Sequence, residues 1–148
     1  MKHLFLVRHA KSSWADETLS DRERPLNARG VSQLAPLGNA LKSVGAFEGE
    51  VYSSNARRAV ATLQGILPDT VAAERYHTLS ALYTFDYRRL LAWLEEQADA
   101  PQITLVGHNP ALLELAQSLL KQPPEQLPTA SVIHIRLSIK HWRQIGRG

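Results

Sequence analysis

The chain has no cysteine. Disulfides, thiolate zinc sites and cysteine nucleophiles are therefore excluded, and the absence suits a reducing compartment. Aromatics are few, at 7% of residues, which leaves little surface for stacking on nucleic-acid bases. No run of lysine and arginine is dense enough to form a nucleic-acid arm, and the formal net charge is only +3. Long hydrophobic runs are also missing. Only four apolar residues, Leu4-Phe5-Leu6-Val7, separate Met1-Lys2-His3 from Arg8. That is too short for a signal-peptide core or a transmembrane helix, so the expectation is a cytoplasmic protein with neither membrane nor nucleic acid as partner. There is no internal repeat and no low-complexity segment. With 148 residues, 44% hydrophobic and 21% charged, the chain has the size and make-up of one globular domain spanning 1–148.

What the chain does contain is a set of short apolar runs that end in polar, catalysis-competent residues. Leu4–Val7 has the pattern of a buried parallel strand and stops at Arg8-His9. Lys11–Leu26 is a long polar loop, and loops of that length are often functional. Asn27 is a good N-cap for a helix with Val31, Leu34, Leu37, Leu41 and Val44 at helical spacing; Pro36 should kink it and Gly45 close it. A second strand is expected at Glu50–Ser53, followed by a helix capped by Asn55 with Ala56, Ala59, Val60, Leu63 and Leu67 on one face. A third strand falls within Val71–Leu79. Asp86 can cap a helix carrying Leu90, Leu91, Leu94 and Ala98. Ile103–Val106 is another buried strand, ending in Gly107-His108-Asn109-Pro110. Asn109 and Pro110 are preferred starters for the helix bearing Leu112, Leu115, Ala116 and Leu119. Ile133, Ile135, Leu137 and Ile139 alternate with polar residues, as in a half-exposed strand at a sheet edge, and His141–Ile145 could add a last strand. Strands alternating with helices predict an α/β/α sandwich with a mostly parallel central sheet.

Three of these strand ends carry polar residues of types suited to phosphate. Arg8-His9 ends the first, Ser53-Ser54 with Arg57-Arg58 follows the second, and Gly107-His108-Asn109 ends the fourth. Parallel strands direct their carboxyl ends to one side, where ligands of open α/β sheets bind. Singly, each has a structural explanation: surface polarity, a helix cap, a loop-tying histidine. Together they make an anion site with two histidines, several arginines and helix N-termini.

Four ordered motifs carry a family resemblance over residues 4–110. They are Leu6-Val7-Arg8-His9-Ala10-Lys11-Ser12-Ser13-Trp14, Asp21-Arg22-Glu23-Arg24-Pro25-Leu26-Asn27-Ala28-Arg29-Gly30, Ser53-Ser54-Asn55-Ala56-Arg57-Arg58-Ala59, and Gly107-His108-Asn109-Pro110. The chain resembles the histidine phosphatase superfamily, whose fold is phosphoglycerate mutase-like with an antiparallel edge strand, and within it the small phosphohistidine phosphatase (SixA-like) branch. The resemblance implies a phosphatase with a covalent phosphohistidine intermediate, requiring no metal and no cofactor. It implies His9 as nucleophile, and Arg8, Arg58 and His108 as catalytic groups that bind and polarise the phosphoryl oxygens. Arg24 would be a further phosphate contact, and Asn109 would cap and position. Arg58, not Arg57, is the match, because it directly precedes Ala59 four residues after Ser54.

On chemical grounds His9 should donate one ring nitrogen to a fixed acceptor, such as a backbone carbonyl, and present the other to phosphorus; His108 should be protonated, a state that neighbouring carboxylates or the bound dianion would favour and Arg8 and Arg58 oppose. No strong acid stands out for the leaving group. Asp86 is the candidate donor, although its first role is helix capping. A missing acid fits a phosphoramidate, since imidazole leaves more readily than an alkoxide. The implied partner is a phosphorylated substrate, with a phosphohistidine-bearing protein foremost. The alternatives are a broad small-molecule phosphomonoesterase and, in a different class, a catalytically silent phospho-ligand binding module.

Overall fold

Alternate residues of the first strand point into two different cores, and this organises the molecule. A computed structural model describes residues 1–147. In β1 (Lys2–Arg8), Leu4 and Leu6 pack with Leu90, Leu94, Leu112 and Leu115 on one side of the sheet. Phe5 and Val7 pack with Leu37, Leu41, Ala59 and Leu63 on the other. All four strand residues are buried, because β1 lies inside the sheet and helices cover both faces.

The remaining elements are α1 (Ala28–Ser43), β2 (Glu50–Ser54), α2 (Arg57–Ile66), β3 (Tyr76–Leu79), α3 (Tyr87–Glu95), β4 (Gln102–Gly107), α4 (Ala111–Leu119) and β5 (Val132–Leu137). The sheet order is β3-β2-β4-β1-β5. Four strands are parallel, and β5 runs antiparallel to β1 at the edge. The α/β/α sandwich expected from the sequence is therefore the architecture of the chain, with α1 and α2 on one face and α3 and α4 on the other. Among the described residues no helix is long and apolar enough to cross a membrane.

Register brings the polar strand ends together. Arg8 of β1 pairs with Gly107 of β4, and Ser53 of β2 pairs with Val106 of β4. His9, His108 and Ser54, each one residue further on, consequently emerge along one edge of the sheet.

Several local expectations are corrected. The ends of the α1 stripe, Val31 and Val44, are exposed, since only the middle of the helix meets the sheet. Asn27 does cap α1, accepting the Gly30 N–H at 2.8 Å, and Gly45 lies just past the C-cap with φ +77. Asn55 does not cap α2. The Ser54 hydroxyl takes the Ala56 N–H at 3.1 Å instead, and Ala56 occupies the cap position without a side-chain bond. The third strand is only Tyr76–Leu79, because Ala73–Arg75 form a 3-10 turn. Helix α3 ends at Glu95, short of Ala98. Helix α4 starts at Ala111 with Pro110, not Asn109, at the cap position. His141–Ile145 is not a strand: Trp142–Arg147 is a 3-10 helix that seats the fully buried Trp142 in the α3/α4 core.

Candidate active site

His9, on the first residue past β1, is almost wholly buried. Its Nδ1 lies 2.7 Å from the Ala10 carbonyl, which can only accept, so Nδ1 carries the proton. Its Nε2 is left with a lone pair that receives Arg58 Nε–H at 3.3 Å. This is the carbonyl-anchored arrangement expected from the sequence. The backbone at this point is also fixed: Ala10 N–H donates to Thr62 Oγ1 at 3.0 Å, and Thr62 in turn donates to the Arg58 carbonyl at 2.8 Å. One threonine thus ties the His9 segment to the first turn of α2.

Arg58 is the hub of the site and only 2% exposed. Besides His9, its guanidinium donates to the Asp21 carbonyl at 2.5 Å, to Asp21 Oδ2 at 3.0 Å and to His108 Nδ1 at 3.4 Å. His108 Nε2 then donates to Ser54 Oγ at 2.7 Å. The neighbouring Arg57 is exposed and donates to the Glu23 carbonyl at 3.4 Å. Helical rotation of one residue separates a buried arginine from a surface one.

The long polar loop supplies Arg24. It is buried, donates to Ser12 Oγ at 3.0 Å and pairs with Asp21 Oδ1 at 3.3 Å. Its guanidinium lies 3.5 Å over the Trp14 ring. The loop is not free. A bridge joins Ser12 to Leu26, and Asn27 N–H bonds the Lys11 carbonyl at 3.0 Å. Gly30 makes this possible, since a Cβ there would sit 2.0 Å from the Lys11 oxygen.

Arg8, His9, Arg24, Arg58, His108 and Asn109 all line one cavity of about 300 Å³ that opens to solvent. Arg8 donates to the Leu127 carbonyl at 3.0 Å, and its buried Nε has no protein partner among the described residues. Asn109 donates to the same carbonyl at 3.0 Å and accepts the Leu113 N–H at 3.3 Å, so both its polar ends hold backbone. Asp86 is not in the lining. It caps α3 by accepting the Arg88 N–H and is paired with the Arg88 guanidinium at 3.1 Å. A larger cavity of about 480 Å³ between α3, α4 and β5 shares no residue with this site and contains no histidine.

The electrostatics correct one expectation and add one residue. Burial, with help from His9 and Arg58, pushes His108 down to about 3, so in the free protein it is neutral and not protonated. Burial likewise lowers His9 to about 4; its bond to Ala10 opposes this, while Arg58, Arg8 and Arg24 reinforce it. The added residue is Asp21, the carboxylate in the cavity lining. Burial would raise it, but hydrogen bonds from Tyr83, at 2.5 Å, and Arg58, and the charges of Arg58 and Arg24, hold it down at about 2. Asp21 opens the second of the four sequence motifs, but the motif alone gives it no role. Its partners Arg58 and Tyr83 lie 37 and 62 residues away, beyond the reach of any local pattern.

The model of the histidine phosphatase superfamily (branch 1) matches residues 4–87, more than half of the chain, and the protein belongs to that family. Membership makes phosphatase chemistry its general class. An uncharacterized chloroplastic protein of Arabidopsis thaliana is 27% identical over 97% of this chain and 70% of its own length. In fold, the chain is similar to a proposed phosphohistidine phosphatase SixA from Agrobacterium tumefaciens, with TM-score 0.79, 21% identity and 90% of each chain covered. It is similar too to the protein histidine phosphatase SixA complexed with tungstate, with TM-score 0.74, 22% identity and 91% and 88% covered. A phosphoserine phosphatase of Entamoeba histolytica shares the fold at TM-score 0.63 and 18% identity, with 90% of each chain covered.

Proposed function

We propose that this protein is a metal-independent phosphatase that works through a phosphohistidine at His9 and acts foremost on phosphohistidine carried by proteins. The observation that carries this is the His9 ring itself: Nδ1 is fixed on the Ala10 carbonyl, and Nε2 is unprotonated inside a cavity lined by Arg8, Arg24, Arg58 and His108.

In the first half-reaction His9 Nε2 forms a bond to phosphorus while the bond to the leaving nitrogen breaks, and the leaving imidazole takes up a proton from solvent. In the second, water attacks phosphorus and gives up a proton to solvent, the Nε2–P bond breaks, and His9 regains its lone pair. Two easier displacements replace one difficult one. Phosphoryl transfer is loose and in line, so catalysis comes from positioning and from charge on the equatorial oxygens. Arg58, Arg8 and Arg24 supply that charge, and the unpartnered Arg8 Nε is a donor available to an oxygen. A dianion in the cavity offsets the burial that keeps His108 neutral and lets it take up a proton. Asn109 acts by holding the Leu127 carbonyl and the start of α4. The carboxylate of Asp86 is engaged by Arg88 and outside the cavity lining, which removes the support for it as proton donor. With its one described lining carboxylate, Asp21, engaged by Arg58, Arg24 and Tyr83, the site suits a phosphoramidate, whose leaving group needs less protonation than an alkoxide.

A small-molecule phosphomonoesterase is the second reading, favoured by a cavity open to solvent. Quenched turnover separates the possibilities. Acid-labile, base-stable phosphate should appear on His9 and vanish in His9→Ala together with turnover. Label on another residue defeats the mechanism, and wild-type protein that binds phosphate without turnover is a binding module. Faster hydrolysis of sugar phosphates than of phosphohistidine peptide favours the second reading.

A further inference from the structure

The cavity lining is polar except at two places, and both are aromatic: Trp14 and Phe85. Each leans on a cation-bearing or titratable group of the floor. Trp14 stacks with Arg24 at 3.5 Å, and the Phe85 ring lies 5.4 Å from that of His108. Both nevertheless keep much of their surface in water, 74% for Trp14 and 45% for Phe85. The floor groups His9, Arg24, Arg58 and His108 are all 7% exposed or less. The cavity therefore has a buried cationic floor and a rim whose flat apolar surfaces come from these two residues.

In-line transfer makes this arrangement consequential. The nucleophile lies on the floor, so the leaving group departs on the opposite side of phosphorus, towards the rim. A leaving group that crosses the rim meets Trp14 and Phe85. The other exposed lining residues there are Lys11 and Asp21, and Asp21 is already engaged by Arg58, Arg24 and Tyr83. Flat rings pack on exposed aromatic faces with a preference beyond area alone.

We propose that Trp14 and Phe85 are specificity-determining residues that grip the leaving group, and that the site prefers phosphoryl groups attached to a flat unsaturated ring over those attached to a small acyclic group. This rests on the phosphatase reading above and defines its substrate class. The matched probes are phosphoimidazole and phosphoramidate, which share a P–N bond and differ in the ring. Wild-type protein should show the higher kcat/KM on phosphoimidazole. Trp14→Ala and Phe85→Ala should each lower the ratio of the two kcat/KM values by about 3- to 10-fold. Trp14→Phe should restore most of the ratio, whereas Trp14→Leu, bulky but not flat, should not. A ratio that is near one in wild type, or unchanged in both alanine variants, or restored equally by leucine, overturns the proposal while leaving the phosphatase reading intact. Wild-type protein that turns over neither probe and carries no phosphate on His9 removes that reading, and the aromatic rim with it.

Discussion

Among single residues, Asp21 shows how a charge can act through its neighbours. Its carboxylate holds Arg58 and Arg24, and its own charge is held by Tyr83. Asp21→Asn keeps the shape and removes the charge. Because small misplacements of binding groups cost up to ~100-fold, kcat/KM should fall by about 10- to 100-fold, with the circular dichroism spectrum unchanged. Loss of turnover with loss of fold would show that the residue is structural only. The two site histidines make a second test. With His9 lowered to about 4 and His108 to about 3, both rings are neutral throughout the neutral range. Their ring proton signals in nuclear magnetic resonance should stay constant from pH 8 to roughly pH 5.5, where an ordinary histidine titrates near 6.5. Saturating inorganic phosphate should bring the His108 titration upward, because the dianion favours the charged ring.

At the level of elements, the loop from Lys11 to Leu26 reaches the site only because the first turn of α1 lets it approach. The Asn27 cap was legible in the sequence, since Asn before a helical apolar stripe is a local signal. The need for Gly30 was not. It sits inside a helix with ordinary dihedrals, and only the Lys11 oxygen, 2.0 Å from where a Cβ would be, explains it. Gly30→Ala should destabilise the fold by about 1–3 kcal/mol by overpacking, despite alanine's better helix propensity, as measured by urea unfolding. The same substitution should reduce activity, because Lys11 and Ser12 move and Ser12 holds Arg24. A neutral or stabilising result would show that the segment can shift freely. The opposite lesson comes from Asn55, a plausible cap by local pattern: Ala56 holds the cap position, and its N–H donates to the Ser54 hydroxyl at the strand end.

Across the whole molecule, the C-terminal 3-10 helix closes one of the two cores. Trp142 is fully buried and donates Nε1–H to the Ala100 carbonyl at 2.8 Å. Trp142→Ala should cost about 3–5 kcal/mol in urea unfolding while leaving kcat of the folded fraction near wild type, since the core lies on the α3/α4 face. The buried histidines also couple the site to global stability. In the folded state they titrate at about 4 and 3, and in the unfolded chain near 6.5. The unfolded chain thus binds more protons between those values, so stability is fully present above pH ~6.5 and declines as pH falls through the window. Asp21, held at about 2 against an ordinary 3.8, adds a loss of the same sign at lower pH. Unfolding free energies measured from pH 8 to 4 should be level and then fall; a rise on acidification would contradict neutral buried rings.

By itself the sequence determined the main alternation of strands and helices, the α/β/α class, and four residues of the candidate site that end strands or follow them: Arg8, His9, Arg58 and His108. These are short-range patterns, apolar runs broken by particular polar residues, and they are written in consecutive positions. Tertiary structure alone decided the rest. It placed Asp21 between Arg58 and Arg24, kept His108 neutral, directed Asp86 to Arg88, and set Trp14 and Phe85 as the apolar part of the rim. Each of these depends on burial and on charges brought together from distant parts of the chain. Desolvation and Coulomb energy act through space, and spacing along a sequence does not record them.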